Sequence, residues 1–299
     1  MTLDRILVAV SFSERSIDAV RKAARLAADR KANLTLLHVV EPVKRRSVRR
    51  LPVQQTLLHA RVTNARRELA RYAGEIAAND RLAVDFRIEV GDKVAAIMRS
   101  CKDADVLLIG GTSMSGLSAA LHMTTAERLV GKCGIPVLVV KAPDQGRFER
   151  ALVPVDGTYQ SAAGVSAAMR LWPEAEMTLL HALDSRREPL KEHEYLRALA
   201  ARARVSTGKV AFRLAHGDAW RAVLAVQDEV DAQVVVMLKR KATPLADFIL
   251  GSTVRRLLSR LQCDVLVAPE PAPQTARQRD QQTGHRSSSP LAARGRFQP

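Results

Sequence analysis

Aromatic residues make up only 4% of this 299-residue chain, so its cores must be built from Ala, Leu, Val and Ile. That scarcity argues against an aromatic-rich β-sandwich and favours helices packed on a buried parallel sheet. Cysteine is scarcer still. Cys101, Cys133 and Cys263 form no CxxC pair and no even set, which excludes a disulfide framework and points to a reduced, cytoplasmic protein. Long hydrophobic runs are missing too: no apolar stretch approaches the ~18 residues that a membrane-spanning helix needs. The N-terminal MTLDRILVAV carries Asp4 and no basic leader, so it reads as a first strand and not as a signal peptide. Acids are in deficit, with 31 Asp and Glu against 47 Lys and Arg and a formal net charge of +16. Such an excess attracts polyanions, yet no helix-turn-helix, zinc finger or stacking aromatic module accompanies it.

What is present is one pattern written twice. RILVAVSFSERS (5–16) returns as RALVPVDGTYQS (150–161), and LTLLHVVEP (34–42) as MTLLHALDS (177–185). VGDKVAAIM (90–98) is answered by HGDAWRAVL (216–224), ADVLLIG (104–110) by AQVVVML (232–238), and IPVLVV (135–140) by CDVLVA (263–268). Five matches in one order identify a duplicated domain. Short β-rich apolar runs alternate with amphipathic segments, the signature of βαβ units in a parallel sheet. Strands are expected near 5–10, 34–40, 84–90, 105–110 and 136–140, with helices near 14–30, 54–78, 93–102 and 122–132. In the second of these helices Leu58, Val62, Leu69, Tyr72 and Ile76 share one face. The predicted domains are 1–145 and 146–270, joined through Ala142–Glu149, followed by a disordered basic tail over 271–299 that is poor in large apolar side chains.

In such a sheet a ligand sits beyond the carboxyl ends of the strands, where the strand order reverses. The loops after the first and fourth strands of each unit meet there: SFSERS with GGTSMSGLSAALHMTT, and DGTYQS with LKRKATPLADFILGST. An acid after the first strand can accept a hydrogen bond from a ligand, and glycines before a helix present N–H groups to phosphate. At these residues the chain resembles the tandem form of the universal stress protein family, over nearly everything from 3 to 269. The resemblance implies two flavodoxin-like α/β domains, each a five-stranded parallel sheet of order 3-2-1-4-5 with helices on both faces. It also implies an ATP motif in which an Asp follows the first strand. The fourth strand of that motif leads into Gly, two residues, Gly, nine residues, Gly, then Ser or Thr.

Laid on the first unit, Gly110 and Thr124 fit, Ser113 and Met123 replace glycines, and Ser11 stands in place of the Asp. In the second, Asp156, Gly251 and Ser252 fit, while Leu238 and Lys241 occupy glycine positions. The expected cofactor-binding residues are therefore Asp156, Lys241, Gly251 and Ser252 in the second domain. A degenerate set, Gly110, Ser113 and Thr124, remains in the first, and ATP is a candidate cofactor for the second domain alone. Lys239, Arg240 and Lys241 would bring positive charge to that second mouth. Thr124–Glu127 also fits a capping box, which gives Thr124 a structural role.

The remaining candidates are weaker. His38 and His181 end matching LLH runs and read as structural; Glu192–Glu194 lacks the second histidine of a zinc helix. No nucleophile or metal site is expected. The loop Lys44–Arg50 is a candidate polyanion contact. The fifth strands are too apolar to stay exposed, so they are expected to pair, joining the halves or building a homodimer. The function this implies is a non-enzymatic stress-response protein acting on a small ligand or protein partner. A slow ATPase in the second domain and a basic adaptor for nucleic acid or lipid phosphate are the alternatives.

Overall fold

The computed structural model describes residues 3–42, 51–80, 82–111, 123–183, 189–203, 209–239 and 251–270. The first half runs β1 (Arg5–Val10), α1 (Glu14–Arg30), β2 (Asn33–Val40), α2 (Leu51–Asp80), β3 (Val84–Val90), α3 (Lys93–Ser100), β4 (Val106–Gly110), α4 (Thr125–Lys132) and β5 (Val137–Val140). The second runs β6 (Arg150–Val155), α5 (Ala162–Leu171), β7 (Glu176–Leu183), α6 (Pro189–Arg202), β8 (Val210–His216), α7 (Ala219–Glu229), β9 (Val234–Lys239), α8 (Ser252–Arg260) and β10 (Asp264–Pro269). The tail beyond 270 and the Lys44–Arg50 run lie outside the described residues.

All ten strands form one sheet, β3-β2-β1-β4-β5-β10-β9-β6-β7-β8. Numbered within each half, both read 3-2-1-4-5. The halves meet where β5 and β10 pair antiparallel, Val139 opposite Val265 and Val137 opposite Val267. The apolar fifth strands thus cover each other inside one chain. One face of the sheet carries α1, α2, α5 and α6 over a core that includes Val8, Leu36, Leu69, Val153 and Leu196. The other carries α3, α4, α7 and α8 over Ile97, Leu107, Leu129, Val235 and Leu257.

Two boundaries differ from the sequence expectation. The helix expected from 122 begins only at Thr125, because Thr124 is its N-cap: Thr124 Oγ1 accepts from the Glu127 N–H at 3.1 Å, and Glu127 Oε2 accepts from the Thr124 N–H at 2.7 Å. The helix expected over 54–78 is a turn longer, Leu51–Asp80.

The seam carries polar ties as well. Lys22 on α1 donates to Asp264 at 2.6 Å, with both side chains almost wholly buried. The other oxygen of Asp264 accepts from the backbone N–H groups of Lys141 and Ala142, each at 2.9 Å. Burial raises the Asp264 carboxyl above its ordinary value even though Lys22 and these donors oppose the shift. Lysines also cross the seam in both directions, each to the carbonyl end of the other half's last helix, where the helix dipole favours a cation. Lys141 Nζ donates to Leu258 O at 2.8 Å and to Leu261 O at the end of α8. Lys239 Nζ donates to Gly131 O at 2.6 Å, at the end of α4.

Candidate functional site

In each half the first and fourth strands are neighbours, β1 beside β4 and β6 beside β9, and their carboxyl ends, where the sequence places a ligand, are built differently. In the first half, Gly110 ends β4 directly under the start of α1. A Cβ there would lie 2.7 Å from the backbone of Arg15 and Ser16, so this glycine is required by helix-on-strand packing without any ligand. Ser11 donates its N–H to Ser16 Oγ at 2.8 Å, and its hydroxyl lies 3.1 Å from Ser13 Oγ. Among the described residues no carboxylate is bonded to this loop in place of the missing acid. Instead Phe12, at φ 62, turns its ring onto His38, with centroids 4.6 Å apart, and onto Tyr72 at 6.3 Å. A bulky residue in the left-handed region costs about 1–2 kcal/mol, which this aromatic stack offsets. His38 Nδ1 is 2.8 Å from Val10 O, and burial, followed by the charges of Lys93 and Arg61, holds its pKa below the ordinary value.

In the second half the same positions carry Asp156 and Gly157. Asp156 Oδ1 accepts from the Thr158 N–H (3.1 Å), Thr158 Oγ1 (2.6 Å) and Ser161 Oγ (2.8 Å). The acid therefore closes its own loop, and Tyr195 on α6 adds a hydrogen bond to Thr158 O at 2.8 Å. His181 repeats the role of His38, with Nδ1 3.0 Å from Val155 O. Both repeated histidines anchor the last carbonyl of a neighbouring strand.

Leu238 takes the place of Gly110. It lies in β9, opposite Ala268, and β9 runs on to Lys239 in register with β10. On its other side β9 leaves β6 early. Only Ala151↔Val234 and Leu152↔Val235 pair, where β1 and β4 pair from Ile6↔Val106 to Ala9↔Ile109. The cause lies in Pro154. Arg150 O accepts from the Gln233 N–H, so residues 150, 152 and 154 face β9, and Pro154 has no N–H to give. The helix on this side starts late as well: a 3₁₀ turn, Tyr159–Ser161, stands where the first half is already α-helical. The proline in the central strand thus ends the β6–β9 pairing early, next to the leucine that stands where the first half has its tightly packed glycine.

The two helix N-termini also contrast. That of α4 is closed by its capping box, with Met123 beside it 38% exposed. That of α8 begins at Ser252 after Gly251 (φ −53), with no side-chain cap and nothing close to a Cβ at the glycine among the described residues. Of the expected residues, Asp156 is engaged in its own loop and Gly251 and Ser252 start α8, while Gly110 and Thr124 are spent on packing and capping. Ser113, Arg240 and Lys241 lie outside the described residues. Lys239 does not serve the cleft as the sequence suggested; its ammonium, its pKa lowered by burial, is held on the carbonyls of α4. Sequence reasoning missed Phe12, Tyr72 and Tyr195, although an aromatic at 12 against glycine at 157 was a readable signal. It also passed over the sulfurs of Cys101 and Cys133, 3.7 Å apart, which a spacing of 32 residues gave no reason to join. Among the described residues no cluster of His, Cys, Asp or Glu is placed to hold a metal, and no helix is long and apolar enough to cross a membrane.

Comparison with known proteins agrees with this architecture. The family model described as the universal stress protein family matches residues 2–141 and again 147–269. A universal stress protein of Mycolicibacterium smegmatis is 30% identical over 170 residues, which is 54% of this chain and 58% of that relative. The match therefore spans little more than half of the relative's length. Among solved structures, a universal stress protein from Archaeoglobus fulgidus superposes with a TM-score of 0.73 at 18% identity, covering 91% of this chain and 98% of its own. A functionally unknown protein from Pseudomonas aeruginosa gives 0.63 at 19% identity, covering 90% and 93%. With both halves matched in tandem by the family model, and the same fold seen in solved relatives, this chain belongs to the universal stress protein family.

Proposed function

We propose that this chain is a non-enzymatic stress-response regulator that works by binding a small ligand or a protein partner, with ATP binding lost from the first half and weak in the second. The contrast between the two helix N-termini carries the reading. The first half has Ser11 in place of the acid, a helix N-terminus closed by Thr124 and Glu127, and the Phe12 ring packed on His38 beside it. The second keeps Asp156 and an uncapped α8, so an anion could take hydrogen bonds from backbone there. Its acid is already committed to Thr158 and Ser161, which weakens it as a ligand acceptor.

The competing reading is an ATP-binding regulator with slow hydrolysis in the second half, favoured by the open end of α8. Calorimetric titration of the full chain with ATP and Mg²⁺, beside Asp156→Ala, separates the two. Weak binding in the millimolar range or no heat is expected. Micromolar binding abolished by Asp156→Ala, with phosphate release over time, would replace the first reading by the second.

A further inference from the structure

The strand-end clefts are not the only concave sites. Between α1, the segment joining the halves and the C-terminal end of α5 lies a cavity of about 340 Å³. It opens beside Arg25, which stands about 16 Å along α1 from the loop after β1, so it is separate from the first-half cleft. Its floor includes Leu108 and Leu138, and its wall includes Phe148 and Trp172, packed edge to face with centroids 4.7 Å apart. The charged lining is unbalanced: Lys22, Arg25, Arg30 and Arg147 face Asp29 and Glu174. Most of these cations already have acids. Lys22 is held by Asp264, Arg25 Nη2 by Asp144 at 2.7 Å, and Arg147 by Asp29.

Arg25 is nevertheless incomplete. Its Nε is buried and has no hydrogen-bond partner among the described residues. A buried donor left without an acceptor costs about 1–3 kcal/mol, but Nε is out of reach of the cavity, and the charge that a ligand meets is the part-exposed remainder of the guanidinium, whose Nη1 lies beside Gly146 on the lining. Sites for small molecules favour domain junctions, with apolar walls and a few placed polar groups, and range from about 300 to about 1,000 Å³. This cavity sits at the small end of that range and combines a flat apolar interior with excess positive charge. From this arrangement we infer that the junction of the two halves is a second ligand site, which takes a small aromatic carboxylate of one or two rings. The ring lies against Phe148 and Trp172, and the carboxylate is held at Arg25. The site does not depend on whether the strand-end clefts hold nucleotide.

The test is calorimetric titration of the full chain with 2-naphthoate, with 2-naphthylmethanol as its uncharged counterpart. Saturable one-to-one binding of the acid below the millimolar range is expected, at least fivefold tighter than the alcohol and unaffected by saturating ATP. Arg25→Gln should weaken the acid at least fivefold and leave the alcohol unchanged, whereas Ala175→Phe, which fills the cavity from its lining, should abolish both. Should Ala175→Phe fail to fold, Trp220→Phe leaves Trp172 as the only tryptophan, and its emission should change saturably with benzoate. The inference is overturned by absence of saturable heat at millimolar 2-naphthoate, by competition with ATP, by an Arg25→Gln variant that binds normally, or by a silent Trp172.

Discussion

At the first bend of each half the chain meets one geometric demand with two different residues. The first half places Phe12 at φ 62, and the second places Gly157 at φ 80. The glycine meets the demand without strain; the phenylalanine accepts strain and packs its ring on His38 and Tyr72. At the end of the fourth strand the assignment reverses. Gly110 lets α1 rest on β4, whereas Leu238 stands at the end of a strand that has already stopped pairing with β6. Each half thus matches the motif expected from the sequence at different positions. A glycine in such a motif therefore has to be judged by what its missing Cβ would touch: backbone of the same domain at Gly110, none of the described residues at Gly251.

The largest test of this asymmetry lies at the seam. Asp264 corresponds to Pro136 in the repeat and Lys22 to Ala167, so the buried pair has no counterpart related by the pseudo-symmetry. Asp264→Ala leaves Lys22 buried without its acid and should cost about 3–5 kcal/mol of stability in urea unfolding. The double change Lys22→Met with Asp264→Leu should recover most of it. A loss under about 1 kcal/mol for the single variant would mean that the pair is not a structural tie.

One substitution at two glycines gives the next test. Gly110→Ala should destabilise by about 1–3 kcal/mol through overpacking against α1. Gly251→Ala should change stability by less than about 0.5 kcal/mol, since reduced freedom of the unfolded chain offsets alanine's poorer N-capping. Equal losses at both would contradict the assignment of packing to one and openness to the other.

The smallest expected effect concerns pH. With its folded pKa lowered from the ordinary 6.5, mainly by burial, His38 takes up a proton less readily folded than unfolded. Its contribution is complete above that value and is lost as pH falls through it. Between about pH 7 and about pH 5, His38→Asn should therefore flatten the decline of stability, an effect visible in parallel thermal melts. An unchanged slope would move the pH dependence to another group.

Much of this architecture was legible in the residues. Four of the five repeated segments mark eight strands in order and the other stands where β3 and β8 end, the apolar runs at 135–140 and 263–268 announced edges that must be covered, and TTAE announced the capping box at Thr124. The cleft residues were legible as a motif with gaps. What escaped depends on partners without a sequence signature. A lysine such as Lys239 looks the same whether it faces a phosphate or the carbonyl of Gly131, 108 residues away. Lys22 and Asp264 lie 242 positions apart, and no periodicity joins them. Pro154 could be read as a strand breaker, but its effect depended on which neighbour the absent N–H would have faced.

The antiparallel seam has a consequence for how the halves coexist. Two separate subunits joined along such edges would part on dilution, but here the join is intramolecular. A short connection of this kind holds its ends at an effective concentration on the order of millimolar, whatever the abundance of the protein. With β5 and β10 occupied, the sheet ends at β3 and β8, whose residues alternate between half-buried and exposed and so present poor edges for further strands. The pairing of unlike halves is thus independent of supply, and an altered cleft in one half can persist beside a more open one in the other without any subunit having to find its match.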